Sequence, residues 1–493
     1  MKLQLEGLQY TIGVIMENEI EIKEIKIGSK FMVECDTLNH EGQGVCRIVG
    51  MKDGEVIEKF PLFINEFLPH EKGIVEIVKL SKHYGYAKLF RLFQETSHPD
   101  RIRPNCPHAG FCGGCNIMHM NYPLQLRFKQ KMIIDTIKKI GGIHDIMVLP
   151  VIGMDNPIKY RNKVQVPFRK KGYKTICGFF KRDSHEVIPF ETCYIQSDIS
   201  SEIIHFTRNL CNEFKIQGYN EESGNGLIRH VLVRTNSSLT SAMVVLVMTN
   251  EKIPFQEEFV TKLIKRYPMI SSIIVNINSQ KGNTILGEKC KTIYGKDTIQ
   301  DELCGLTFQI GPKSFYQVNP TQTEKLYKKA IELGKLSSTD TIIDAYCGIG
   351  TIGIIASKYV KEVYAVEIVE EAIQNAKENA KRNHIRNIHF VCNKAEKQIV
   401  DWHKQHKNID AIVVDPPRKG CDKVLLDTID GMSIPKMIYV SCDPATLARD
   451  LKYMREKGYN ICCIQPVDMF PMTSNVETIA ILLRNRENGS MEE

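Results

Sequence analysis

From Thr341 onward the chain alternates strand-like and helix-like segments, and this pattern limits its fold more than any other feature. The runs Thr341–Asp344, Glu362–Glu367, Ile388–Val391, Ile409–Asp415 and Met437–Ser441 are apolar, and helical patterns separate them. Strands joined through helices pair in parallel, so this part is expected to form a mostly parallel, doubly wound α/β sheet. Such sheets carry their chemistry just beyond the carboxyl ends of the strands. Ser441-Cys442-Asp443-Pro444 stands at one of those ends. A thiol beside a helix N-terminus can have a lowered pKa and act as a nucleophile. The plainer reading of Cys442 is a small buried residue, as most cysteines are.

The rest of the chain narrows the class. A length of 493 residues accommodates two or three domains. Lys plus Arg number 65 against 58 Asp plus Glu, a mild tilt towards polyanionic partners. The longest candidate apolar run, Met243–Met248, suits a buried strand and is far too short for a bilayer. No signal peptide is recognisable, so the expected location is cytoplasmic. Sixteen cysteines in that compartment point to thiols, a metal or a cluster rather than disulfides.

Residues 1–27 read as an N-terminal extension, with an alternation over Glu19–Ile27 that permits a strand. Residues 28–89 read as short strands broken by turns about every ten residues, the pattern of a small β-barrel. This region closes on Lys79–Lys88, where basic and aromatic residues interleave as a base-stacking surface would require. A solvated edge strand is the alternative. Residues 90–311 form a central α+β region, including an amphipathic helix from Pro123 to Lys139 that stops at Gly141-Gly142 and could pack on the next domain. Two further basic-aromatic stretches, Pro167–Lys174 and Phe179–Arg182, lie within it. The α/β domain is expected over 312–485 and a tail over 486–493.

Within the central region, Cys106-Pro107-His108-Ala109-Gly110-Phe111-Cys112-Gly113-Gly114-Cys115 puts three thiols within ten residues, with glycines to let the loop wrap. Three close cysteines suit zinc or an iron–sulfur cluster, and either needs a fourth ligand. His108 and His119 read as neighbours, and Cys35, Cys177, Cys211, Cys347, Cys462 and Cys463 as packing residues.

In the α/β domain, Asp344-Ala345-Tyr346-Cys347-Gly348-Ile349-Gly350-Thr351 is a strand running through a glycine turn into a helix. About 20 residues on, Glu367 closes the next strand, where an acid can hold ribose hydroxyls. These two features fit nucleotide cofactors generally, NAD included. Asp415-Pro416-Pro417-Arg418 follows a later strand, as in S-adenosylmethionine-dependent methyltransferases that act on bases or amides.

Taken in order, Phe315-Tyr316-Gln317-Val318-Asn319, the glycine turn, Glu367, Asp415-Pro416-Pro417-Arg418, Ser441-Cys442-Asp443-Pro444 and Asn475-Val476-Glu477-Thr478 resemble the RNA uracil-5 methyltransferase family. The resemblance runs from about Gly28 to Leu483 and is closest to the iron–sulfur branch that methylates uridines of 23S ribosomal RNA. It implies a Rossmann-like catalytic domain, a TRAM barrel of the oligonucleotide-binding type, and S-adenosylmethionine as cofactor. By resemblance, Gln317, Tyr346, Thr351, Glu367, Asn393 and Asp415 contact the cofactor, Cys442 is the nucleophile and Glu477 the general base. It also implies a 4Fe–4S cluster on Cys106, Cys112, Cys115 and Cys193. The expected partner is 23S ribosomal RNA, with no membrane and no obligate protein partner, and a monomer is expected. Three alternatives stand beside this reading: a transfer RNA enzyme of the same chemistry, a non-catalytic RNA-binding or assembly protein, and a radical enzyme. Radical enzymes use a CxxxCxxC spacing, which this cysteine loop lacks.

Overall fold

The computed structural model describes residues 23–485. The tail, and the N-terminal extension up to residue 22 with the first half of its alternating stretch, lie outside the described residues. The chain divides into two compact units, and the division falls between Phe128 and Lys129. Met472–Ser474 belong with the first unit.

Among the described residues the first unit holds six strands: β1 (Lys30–Glu34), β2 (Thr37–Leu38), β3 (Gly44–Lys52), β4 (Glu55–Ile64), β5 (Lys72–Leu80) and β6 (Gly85–Leu92). They form one sheet in the order β1-β5-β6-β4-β3-β2. Alternate residues such as Phe31 and Val33, or Val75 and Ile77, turn into a shared apolar core. The basic-aromatic stretch over 79–88 is not at an edge, because β6 pairs with both β5 and β4. Helix α1 (Tyr122–Lys139) begins in this unit and continues into the second.

The second unit contains two seven-stranded sheets. The central sheet comprises β7 (Lys163–Lys171), β8 (Lys174–Phe180), β9 (Val187–Pro189), β10 (Ile228–Thr235), β11 (Ala242–Met248), β12 (Ile270–Ile277) and β13 (Lys289–Gly295). Its order is β13-β12-β11-β10-β7-β8-β9. Strand β11 is buried throughout, as its unbroken apolar sequence requires. Helices α2 (Asp198–Glu213) and α3 (Gln256–Arg266) pack on one face. The hairpin β14 (Ile299–Leu303) and β15 (Leu306–Ile310) leads out of this region.

The C-terminal sheet follows α4 (Pro320–Leu333). Its elements are β16 (Thr341–Ala345), α5 (Thr351–Ala356), β17 (Glu362–Glu367), α6 (Glu370–Arg382), β18 (Ile388–Cys392), α7 (Ala395–Lys404), β19 (Ala411–Val414), α8 (Lys423–Gly431), β20 (Lys436–Ser441), α9 (Pro444–Glu456), β21 (Tyr459–Val467) and β22 (Glu477–Arg484). The strand order is β18-β17-β16-β19-β20-β22-β21, and the first five are parallel. Successive residues enter opposite cores. Ile342, Val413 and Ile438 join one, and Ile343, Ile412 and Met437 the other. A sheet cored on both faces is what the alternation of strand and helix requires. Ile133 and Ile137 of α1 share the second core with Leu447 and Leu451 of α9.

Two local features differ from expectation. Strand β19 is shorter than the apolar run that predicts it, since Ile409 and Asp410 precede the ladder. Cys462 is exposed rather than packed, because the register of β21 against β22 shifts between Ile461 and Cys463.

Candidate active site

The site is built from strand ends. Ala345 of β16 pairs with Val414 of β19, so Tyr346 and Asp415 leave the sheet side by side. Strand β22 runs antiparallel, so its first residue lies at the carboxyl ends of the parallel strands. Ser441 pairs with Thr478, which brings Cys442, just past β20, level with Glu477. Helix α9 then starts sharply: Pro444 occupies its first turn and the Asp443 side chain accepts from the amides of Ala445 (2.9 Å) and Thr446 (3.0 Å). The thiol is thereby pinned between a strand end and a capped helix.

These groups share one electrostatic environment. Glu477 is 3% exposed, and burial followed by Asp415 pushes its carboxyl up to about 8. Burial holds Asp415 at about 7. Asp344, also buried, is raised to about 8 by burial first, although the amide of Gly353 donates to it at 2.8 Å. Cys442 is pushed up to about 11, chiefly by burial and then by Glu477 and Asp415. Partial burial, and after it the two carboxyl groups, thus raise the thiol where a helix N-terminus alone can lower it. The only cation acting on both Cys442 and Glu477 among the described residues is the exposed Arg418, which favours both charged forms. Neither Arg418 nor Asp344 had a role in the sequence reading. Arg418 was visible as the end of Asp-Pro-Pro-Arg; Asp344 was visible only as part of the glycine motif.

The glycine turn is fastened from two sides. Tyr346 has φ +65°, the left-handed region, and its hydroxyl donates to Glu396 at 3.3 Å. Glu367 accepts from the amide of Gly348 at 3.1 Å and from those of Ile368 (2.8 Å) and Val369 (3.0 Å). An added Cβ at Gly353 would lie 2.6 Å from the Asp344 carboxylate, so only glycine fits beneath this turn. Thr351 opens α5, with its hydroxyl 3.5 Å from that of the buried Tyr327. Asn393 follows β18; its amide donates to the Glu367 carbonyl at 3.0 Å and its side chain donates to Gln398 at 3.0 Å. Gln317 lies in an irregular segment just before α4 and is buried. Tyr346, Glu367 and Asn393 follow or close β16, β17 and β18 at their carboxyl ends, the position in which a doubly wound sheet holds a nucleotide cofactor.

The cysteine loop lies in the first unit. Cys106, Cys112 and Cys115 are half-buried, and the amide of Gly114 donates to the Cys112 sulfur at 3.4 Å. The turn is tight, with the Cys112 amide donating to the His108 carbonyl at 2.9 Å and Gly110 at φ +82°. Half-buried thiols receiving an amide are suitable donor chemistry for an iron–sulfur cluster. Among the described residues, however, no three His, Cys, Asp or Glu side chains are gathered to hold a metal ion. Cys193 belongs to the second unit.

A doubly wound sheet with a glycine turn, a closing Glu and a strand-end thiol beside two carboxyl groups defines a Rossmann-like methyltransferase. The chain belongs to the RNA uracil-5 methyltransferase family and is an S-adenosylmethionine-dependent RNA methyltransferase. The family model described as tRNA (uracil-5-)-methyltransferase matches residues 285–486. An uncharacterized RNA methyltransferase of Oceanobacillus iheyensis is 42% identical over 92% of this chain and 96% of its own length. One of Listeria monocytogenes is 42% identical over 94% of this chain and all of its own. The crystal structure of Pyrococcus abyssi tRNA (uracil-54, C5)-methyltransferase with S-adenosyl-L-homocysteine superposes with TM-score 0.71 at 25% identity, covering 92% of this chain and 99% of that one. No helix among the described residues is long and apolar enough to cross a membrane.

Proposed function

We propose that this protein forms 5-methyluridine in 23S ribosomal RNA through a covalent enzyme–uracil adduct. The observation that carries the chemistry is the pairing of Ser441 with Thr478, which sets a thiol level with a buried carboxyl group. Cys442 loses its proton to water at its half-exposed face, and the thiolate adds to carbon 6 of uracil. The carbon–sulfur bond forms as the ring's double-bond electrons move towards carbon 5 and the adjacent carbonyl. Bound S-adenosylmethionine would supply an electrophilic methyl group to carbon 5, its sulfur–methyl bond breaking to leave S-adenosylhomocysteine. Glu477, as carboxylate, then removes the proton on carbon 5. The electrons of that bond restore the double bond and expel Cys442. Arg418 favours both the thiolate and the carboxylate. Asp415, Gln317, Tyr346, Thr351, Glu367 and Asn393 bind and orient the cofactor. The target uridine leaves its stack to reach this site.

Residues 28–89 act as a TRAM RNA-binding domain beside a central domain over 90–311 and a catalytic domain over 312–485. Phe63, Tyr84 and Tyr86 stand with ring centroids 5.7 Å apart in each pair, and the Lys79 ammonium lies 5.8 Å from the Tyr86 ring. Aromatic faces with a neighbouring cation suit stacked bases and their phosphates. The family resemblance, rather than any placement, assigns Cys106, Cys112, Cys115 and Cys193 to a 4Fe–4S cluster; it would stabilise or position the RNA-binding part and enters no step. The enzyme acts as a monomer.

A transfer RNA substrate is the second reading, favoured by the Pyrococcus abyssi neighbour. Mapping 5-methyluridine in ribosomal and transfer RNA from cells with and without the gene separates the two. Loss of a mark in 23S RNA is expected; loss confined to transfer RNA overturns the ribosomal assignment.

A further inference from the structure

The segment Ser314–Asn319 has no ladder or helix of its own, so its backbone groups depend on neighbours. Within it Phe315 is exposed, and Tyr316 and Gln317 are buried. Two residues, one in the central sheet and one just before it, hold it. Arg234, next to last in β10, donates from Nη2 to the Ser314 carbonyl at 3.0 Å. Asn162, just before β7, donates from its amide to the Val318 carbonyl at 2.9 Å and from Nδ2 to the Gln317 carbonyl at 3.1 Å. The two anchors are themselves linked. Arg234 pairs with Lys163 across β7 and β10, and the Thr235 amide donates to the Asn162 carbonyl at 2.8 Å. On the far side, Asn319 caps α4 by accepting from the Gln322 amide at 3.2 Å, and its Nδ2 donates to the Met469 carbonyl at 3.0 Å.

Arg234 is an expensive anchor. It is 1% exposed, and neither Nε nor Nη1 has a hydrogen-bond partner. Asp301 stands near enough to offset part of the charge, while accepting from the Ser237 amide at 2.7 Å and hydroxyl at 2.9 Å. An apolar side chain of similar length would fill the space without desolvating a guanidinium, so stability is not what this residue supplies. What it uniquely supplies is a rigid donor to the Ser314 carbonyl. We infer that Arg234 and Asn162 are positioning residues that hold Gln317 against the cofactor, using the β7–β10 pair as a fixed frame.

The inference rests on the proposed contact of Gln317 with S-adenosylmethionine, and the experiment separates the two. The probe is S-adenosylhomocysteine, titrated by calorimetry into the full-length protein, with kcat and KM measured on substrate RNA. Gln317→Ala should weaken binding; if it does not, the cofactor role of Gln317 falls and the inference falls with it. Arg234→Met should raise Kd and the cofactor KM about tenfold, with kcat at saturation changed far less, as expected when a contact is misplaced rather than removed. Its thermal midpoint should stay level or rise, and Arg234→Lys should recover part of the affinity. Asn162→Ala should give the same split and covers the case in which Arg234→Met does not fold. Wild-type Kd in folded Arg234→Met or in Asn162→Ala, alongside a weakened Gln317→Ala, overturns the inference.

Discussion

Two places in the second unit bury charge, and they do it in opposite ways. Where α1 meets the segment after β21, Lys129 and Asp468 are both fully enclosed, 2.5 Å apart, and Lys129 also donates to the Phe470 carbonyl at 3.1 Å. Burial pushes the Lys129 ammonium down from its usual range, and Asp468 opposes that. At the strand ends, Asp344, Asp415 and Glu477 are ionisable groups that no ion pair holds among the described residues, and each is pushed towards neutrality. The first arrangement locks two charges into the scaffold. The second leaves carboxyl groups able to gain or lose a proton near neutral pH, which a seam of structure does not need and an acid–base site does.

The largest expected effect tests the strand-end region. Cys442→Ala should reduce methyl transfer by at least about 10⁴-fold, since a covalent route loses its nucleophile. RNA containing 5-fluorouridine should trap wild-type protein as a band resistant to denaturation and should not trap this variant. Retained activity would remove the thiol from the chemistry. The paired region should respond in stability instead. Lys129→Met strands a buried carboxylate and should cost about 3–5 kcal/mol in denaturant unfolding, whereas Lys129→Met with Asp468→Leu should recover most of that. If the single and double variants lose the same amount, the contrast between the two regions is wrong.

The legibility of these regions in the sequence differs for physical reasons. Asp443-Pro444 after an apolar run announces a capped helix, so the position of Cys442 follows from local chemistry alone. Glu477 is harder. It reaches the site only because β22 runs against the other strands, and no periodicity states a strand's direction. Its place came from motif order, as did that of Gln317. The direction of the thiol pKa is not legible locally: a helix N-terminus can be read from the sequence, but the burial that chiefly raises the thiol, and the two carboxyl groups that add to it, come from segments distant in the chain. Lys129 and Asp468 are 339 residues apart and carry no sequence signal at all. Arg234 is hidden for a related reason: the groups that act on it, Tyr316 and Asp301, and the Ser314 carbonyl it donates to are 67 or more residues away in the chain.

Glu477→Gln connects the two behaviours. Losing the base should lower kcat by about 10²–10³-fold, with the carbon 6 adduct accumulating. The same change should alter the pH dependence of stability. The folded carboxyl titrates at about 8 against 4.5 unperturbed, so folding favours the protonated form. That contribution is complete below 4.5 and is lost as pH rises through about 8. The wild type should therefore lose stability over this range relative to the glutamine variant, and parallel curves would show that Glu477 is not held neutral.

The smallest effect concerns Asp415, raised to about 7 by burial without a partner. Above that pH it is a carboxylate, and a sulfonium ligand would bring it a positive charge. S-adenosylmethionine carries that charge and S-adenosylhomocysteine does not, while the two share every other group that Gln317, Glu367 and the glycine turn would touch. The ratio of their Kd values isolates the charge. In the Glu477→Gln background, where only one of these two carboxyl groups titrates, S-adenosylmethionine should gain up to about tenfold over S-adenosylhomocysteine between acid and alkaline sides of the Asp415 transition, the size expected of one charge pair in a partly screened site. Asp415→Asn in that background should flatten most of this change, leaving only what Asp344, raised to about 8, contributes. A ratio already flat with Asp415 intact would mean that the buried carboxyl does not face the sulfonium, and the strand-end acids would then serve the uracil alone.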